Sequence, residues 1–318
     1  MMKNLPLWGV LFSLTLGAPA WACVNEYERR PSAPRRARPD PASEFMAQLR
    51  DQAYHDQIVA GPAPADPGSD ADFRLRSDYA SALIRRGESG KAVEILESIE
   101  KARPGEYQIA ANLGTAYELS GDLVKAHQWI SEGIRRNPRS HEGTEWLHLR
   151  ILEARQALAR DPRWLQAHSV TGLDFGGDAE PRMPVQWPKE SGSVDGVITA
   201  LTYQLRERMA FVKAPDGVVG SLLADLGVML LLYRTPDVAI PVFDLALTYR
   251  PAKADGVAAR RSIAEEIIRS RKSGDTTLKL MLFGFASLAI VGVLLLQWRP
   301  GRRSRPLRLA PRRLRRSS

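Results

Sequence analysis

The 318-residue chain predicts an all-α fold: a solenoid of paired helices, interrupted by an irregular insert and followed by one apolar helix near the C-terminus. Three observations lead there. Gly87, Ala92 and Pro104 recur 34 residues later as Gly121, Ala126 and Pro138, and a period of that length belongs to helix-turn-helix units that stack side by side. About nine or ten helical segments can be traced, with no convincing strand pattern between them. The stretch Leu280–Leu296 carries no charge, and with its flanks it reaches the roughly 20 residues of a bilayer-crossing helix.

The first unit, 73–106, places Tyr79, Ala80, Leu83, Gly87, Ala92, Leu96, Ile99 and Pro104 where the second, 107–140, places Leu113, Gly114, Tyr117, Gly121, Ala126, Ile130, Gly133 and Pro138. Gly114 and Ala126 are small where helices must cross closely, and Leu113, Tyr117 and Ile130 fill the remaining space. Gly121 permits the turn and Pro138 ends the second helix. A partial third unit starts at residue 141 with a helix over His141–Ala159. The period then breaks over 161–215. Asp161–Ser169 reads as a short helix begun by Asp161 and Pro162, Thr171–Pro188 as a Gly- and Pro-rich loop, and Ser193–Phe211 as a helix. Over 216–275 a further unit returns through Leu226, Gly227, Leu230, Ala239, Phe243, Ala246 and Pro251. There Arg234 stands in place of the turn glycine, and Pro241 predicts a kink. The charged segment Ala254–Lys272 has the polar surface of a terminal capping helix.

The residues of the second unit resemble the tetratricopeptide repeat (TPR) family closely, and those of the first and last units follow the same pattern. The stretch Gly105–Gly172 is also similar to a group of uncharacterised bacterial exported, membrane-anchored TPR proteins. The resemblance implies a concave groove lined by the first helix of each repeat. Carried onto this chain, the groove positions are Arg74, Ser77, Asp78, Ser81 and Arg85, then Gln108, Asn112, Thr115 and Glu118, then Glu142, Glu145 and Leu149. Asn112 stands where peptide-binding relatives hold a ligand backbone; the lysines of a peptide carboxylate clamp are absent. The implied partner is an extended segment or helix of another protein.

Lys3, the apolar run Leu5–Gly17 and Ala20-Trp21-Ala22 have the layout of a secretory signal peptide, 1–22. The apolar span 278–298 follows the repeats, with Lys279 and Trp298 at its ends. Beyond it, 299–318 holds nine arginines and no acid, which predicts a cytoplasmic tail. Those arginines account for the whole formal charge of +9, so the rest of the chain is near balance and offers no basic surface for nucleic acid. The expected location is the bacterial inner membrane, single-pass, with the repeat domain periplasmic or extracellular. Cys23 is the single cysteine, so no internal disulfide forms. It follows the expected cleavage site as an acylated lipoprotein cysteine does, but Ala20 and the bulky Trp21 depart from that motif, leaving acylation and a free thiol both open. The Pro-, Arg- and Ala-rich arm 23–70 reads as an extended tether, with a strap along the solenoid as the alternative.

No phosphate-binding loop, nucleophile elbow or paired-cysteine motif is present, and the chain is expected to be non-enzymatic and to need no cofactor. His141, Glu145 and His148 recur at i, i+4 and i+7 and are the residues nearest to a metal set. Spread over two turns they do not converge on one ion, so no metal is expected. The leading function is a membrane-anchored scaffold that binds proteins in the cell envelope. The alternative is a ligand-sensing or metal-binding envelope protein in which 161–190 forms a site against the third repeat.

Overall fold

The computed structural model describes Asn25, Tyr27, 65–177 and 179–274. The signal segment 1–22, Cys23, the apolar span 278–298 and the basic tail 299–318 lie outside the described residues. The chain divides into two compact units, Met1–Ile267 and Ile268–Ser318. Of the second, only 268–274 are described, and they are helical.

The described residues are all-helical. In the first unit, α1 (Phe73–Arg85) pairs with α2 (Ser89–Ala102) and α3 (Tyr107–Ser120) with α4 (Leu123–Arg136), each helix packing on the next in sequence. A 3₁₀ turn over Ser140–Gly143 leads to α5 (Glu145–Arg160), and the one-turn α6 (Trp164–Ala167) follows. After the irregular stretch come α7 (Val194–Phe211), α8 (Gly217–Tyr233) and α9 (Pro236–Thr248), with α8 and α9 tightly paired. A last helix, α10, covers 254–274. The arrangement is repeat-like, and among the described residues no helix is long and apolar enough to cross a membrane.

Local chemistry sets the helix starts. Asp72, Asp122, Ser193 and Asp216 each accept a backbone N–H from the first turn of the helix that follows, which satisfies one of the donors a helix start leaves open. Gly121 closes α3 with φ +94°, a conformation that only glycine adopts without strain. Arg234, at the matching place after α8, has φ −129°, so that turn needs no glycine. Helix α9 stays continuous across Pro241.

One close helix–helix crossing repeats. A Cβ on Gly114 would stand 2.4 Å from the Ile130 side chain, and one on Gly227 would stand 2.5 Å from the Phe243 ring. Each glycine lies in the first helix of a pair and meets a large residue at the same sequence distance in the second. Two apolar clusters result. One gathers Ile84, Leu96, Ile109, Leu113 and Ile130 from α1 to α4; the other gathers Leu147, Ile151, Leu201, Leu222 and Phe243. Helix α5 belongs to both, because its Leu152 packs into the first.

The helix expected over His141–Ala159 begins later. His141 and Glu142 adopt left-handed backbone conformations, φ +49° and +60°, and α5 starts at Glu145. The insert is anchored, with Val170, Leu173 and Phe175 buried in the second cluster. The Arg150 guanidinium donates to the Thr171 carbonyl at 2.7 Å, and that of Arg260 to the Gly176 carbonyl at 2.8 Å.

Candidate functional site

A polar groove runs along α1, α3 and the start of α5, and two residues of the N-terminal arm, Asn25 and Tyr27, are seated in it. The Asn25 backbone N–H donates to Asn112 Oδ1 at 2.7 Å, and Asn112 Nδ2 donates back to the Asn25 carbonyl at 3.0 Å. One carboxamide thus holds both polar groups of a single residue's backbone. Ser81 Oγ lies 3.2 Å from the same carbonyl and 3.2 Å from Asn112 Nδ2. Two residues further on, the Tyr27 N–H donates to Asp78 Oδ1 at 2.7 Å. The Tyr27 ring meets Phe73 edge-on at 5.3 Å, with the Arg74 guanidinium 5.9 Å from its centre.

Beyond Asn112 the groove floor turns into a buried charge network. His148, fully buried, points Nε2 at Glu118 Oε2 (2.8 Å) and Nδ1 at Glu145 Oε2 (3.2 Å). The other Glu145 oxygen meets His141 Nδ1, and His141 Nε2 reaches Asn25 Oδ1 at 3.1 Å. His141 also stacks on Tyr203 of α7, with ring centres 5.5 Å apart. Arg208, from α7, engages both Glu118 oxygens, and Arg155 stands 3.5 Å from Glu118 while pairing with Asp216. The network therefore ties α3, α5, α7 and the N-cap of α8 together.

Its protonation states follow from geometry. Burial pushes the Glu118 carboxyl up, but Arg208 and then His148 outweigh burial and hold it well below the usual carboxylate range. Glu145 is held low in the same way, by His141 and then His148. Burial pushes the His148 imidazole down, but its hydrogen bonds to Glu118 and Glu145 prevail and raise it. With both ring nitrogens facing carboxylates, His148 is held as a cation that donates twice.

The sequence-derived groove positions do not all share one environment. Arg74, Asp78, Ser81 and Asn112 contact the arm. Ser77 and Thr115 are buried in the floor, Thr115 donating to the Ala111 carbonyl at 3.2 Å, and Gln108 is half-buried beside them. Arg85 is half-buried near the end of α1. Glu118 and Glu145 belong to the charge network. Glu142 is exposed in the left-handed turn. Leu149 lies elsewhere, lining an open cleft of about 640 Å³ with Ile134, Trp146 and Arg150. The reason is rotational: α5 turns Glu145 and His148 inward, and the next residue is carried about 100° round the helix.

His141, Glu145 and His148 do come together, although His141 precedes the helix instead of sharing its face. Among the described residues no group of three or more His, Cys, Asp or Glu is arranged to hold a metal ion. Both Glu145 oxygens and both His148 nitrogens are already engaged within the network.

Sequence reasoning missed Arg208, Arg155 and Tyr203. A signal for Arg208 existed: Gln204, Glu207 and Arg208 form a polar group at helical spacing beside the apolar positions Leu201, Leu205 and Met209. Asn25 carried none, since it lies in an arm of tether-like composition. The chain matches no known protein-family model and no curated protein sequence.

Proposed function

We propose that the protein is a non-enzymatic TPR scaffold, anchored in the inner membrane, whose solenoid groove holds an extended segment of another envelope protein. One observation carries this reading: the Asn112 carboxamide holds the backbone N–H and carbonyl of Asn25 together. Contacts of that kind grip a chain through its backbone, as an extended peptide is held. The repeated glycine crossings at Gly114 and Gly227 and the 34-residue period support the TPR assignment. The signal-peptide layout, the uncharged span 278–298 and the arginine tail support the periplasmic placement.

A photo-crosslinking residue in place of Gln108, in membranes of the native host, tests the scaffold role. The expected result is capture of a defined envelope protein, lost when Asn112 is replaced by alanine. Failure to capture one, or capture that ignores the Asn112 change, overturns the reading. Topology is tested by a reporter active only in the cytoplasm, which should work after Ser318 and stay silent after Lys272.

A further inference from the structure

Asp78 and Asn112 are 34 residues apart and so occupy the same position in consecutive helix pairs. Each accepts a backbone N–H from the arm, Asn112 from Asn25 and Asp78 from Tyr27. In an extended chain, residues two apart present their groups on the same side. Two successive helix pairs thereby take the backbone N–H groups of two residues two apart in sequence. The strand has a direction as well: His141 and Asn112 receive its N-terminal residue, while Asp78 and Phe73 receive the later one.

Two side-chain subsites add sequence preference. His141 meets the Asn25 amide and is itself held through Nδ1 by Glu145. A carboxamide suits this imidazole in either protonation state, because it can turn oxygen toward an N–H or its NH₂ toward a bare nitrogen. A carboxylate suits only the charged ring. Tyr27 fills the second subsite, between Phe73 and Arg74.

We infer that the groove selects an extended segment bearing an asparagine and, two residues later, an aromatic ring, and that the arm carrying Asn25 and Tyr27 is its resident ligand. A protein partner with the same spacing must displace the arm. This inference rests on the scaffold reading of the groove. The arm is an incomplete ligand, since Asn25 Nδ2 and the Tyr27 hydroxyl are buried with no hydrogen-bond partner among the described residues, and buried unpaired donors are unfavourable. A partner that supplies acceptors there binds better than the arm residue for residue. The arm's advantage is its tether, which keeps its local concentration high.

The test uses the full-length chain and a fluorescent octapeptide with the sequence of residues 23–30, its cysteine replaced by serine. The chain carrying Asn25→Ala and Tyr27→Ala is expected to bind the peptide at least ~10-fold more tightly than the unaltered chain, whose groove is occupied. A peptide with alanine at the asparagine position is expected to lose ~10-fold or more in affinity. Substituting Asn112→Ala in the arm variant should abolish binding while the helical circular dichroism is retained. Equal affinity for both chains, or indifference to the peptide's asparagine, overturns the inference. The crosslinking at position 108 separates the two readings. Peptide selectivity without a captured envelope protein leaves the self-ligand standing and removes the scaffold role; capture without selectivity does the reverse.

Discussion

Replacing Glu118 by leucine removes the anion at the centre of the groove's charge network. Its carboxylate is nearly buried and receives Arg208 on both oxygens and His148 at 2.8 Å, and both donors are themselves buried. Neither side chain can turn to water, so Glu118→Leu takes the shared anion from two buried cations and leaves His148 with Glu145 alone. Breaking a buried ion pair by removing one partner costs about 3–5 kcal/mol. For a folded unit of this size each kcal/mol lowers the melting temperature by about 2–4 °C, so the expected fall is roughly 6–20 °C. Removing the second charge as well should recover much of the loss, because well-packed apolar replacements of a buried pair are often neutral. The double variant Glu118→Leu/Arg208→Met should therefore be the more stable of the two, with an interaction energy of about 2 kcal/mol or more in the cycle. Urea denaturation followed by far-ultraviolet circular dichroism measures all four chains, with an unchanged denaturant slope as the check on comparability. A single variant within about 1 kcal/mol of the parent, or a double variant no better than the single, refutes the reasoning.

Three other outcomes follow from the same packing and electrostatics. His148 is raised, so its contribution is complete below its unfolded value of 6.5 and is lost as pH rises through the folded one; Glu118 and Glu145 are depressed, so theirs stands above 4.5 and fades as pH falls. Stability against pH should decline on the alkaline side, and His148→Gln should flatten that decline. Asp225, half-buried and bonded to Thr171 and Ser169, is pushed up to about 6 by desolvation; the fold takes up a proton there more readily than the unfolded chain. Stability should fall as pH rises from about 3.8 to about 6, and Asp225→Asn should remove that slope in a denaturation series. Gly114→Ala and Gly227→Ala should each cost about 1–3 kcal/mol through overpacking; Ile130→Ala, which removes both Cδ1 and Cγ1, should cost less in the Gly114→Ala chain than in the Gly227→Ala chain, read from melting temperatures.

Much of the helical layout was legible because its causes are local or repeated. Gly114 faces Ile130 and Gly227 faces Phe243 across the same sequence distance, since a close crossing of paired helices demands a small residue opposite a large one wherever the unit recurs. Capping residues such as Asp122 and Asp216 mark helix starts because the donors they satisfy lie within three residues. The register of the repeat puts Asn112 34 residues after Asp78 on the first helix of the next pair, and both residues bond the arm. The start of α5 was not legible. A left-handed turn at His141 and Glu142 displaces it, and neither residue type announces that conformation. Arg234 replaced a glycine without consequence, because the backbone there stays out of the left-handed region.

The sequence by itself determined the all-α class, the succession of helices and the presence of polar residues on the first helix of each unit, because those follow from short-range periodicity. Only the tertiary structure decided what the polar residues do. From sequence, Glu118 and Glu145 read as groove positions and His148 as a member of the set nearest to a metal site, but α7 brings Arg208 over them and the four become one buried network. Asn25 and His141 stand 116 residues apart in sequence and 3.1 Å apart in space. That contact depends on the curvature of every helix pair between them, which no local pattern encodes.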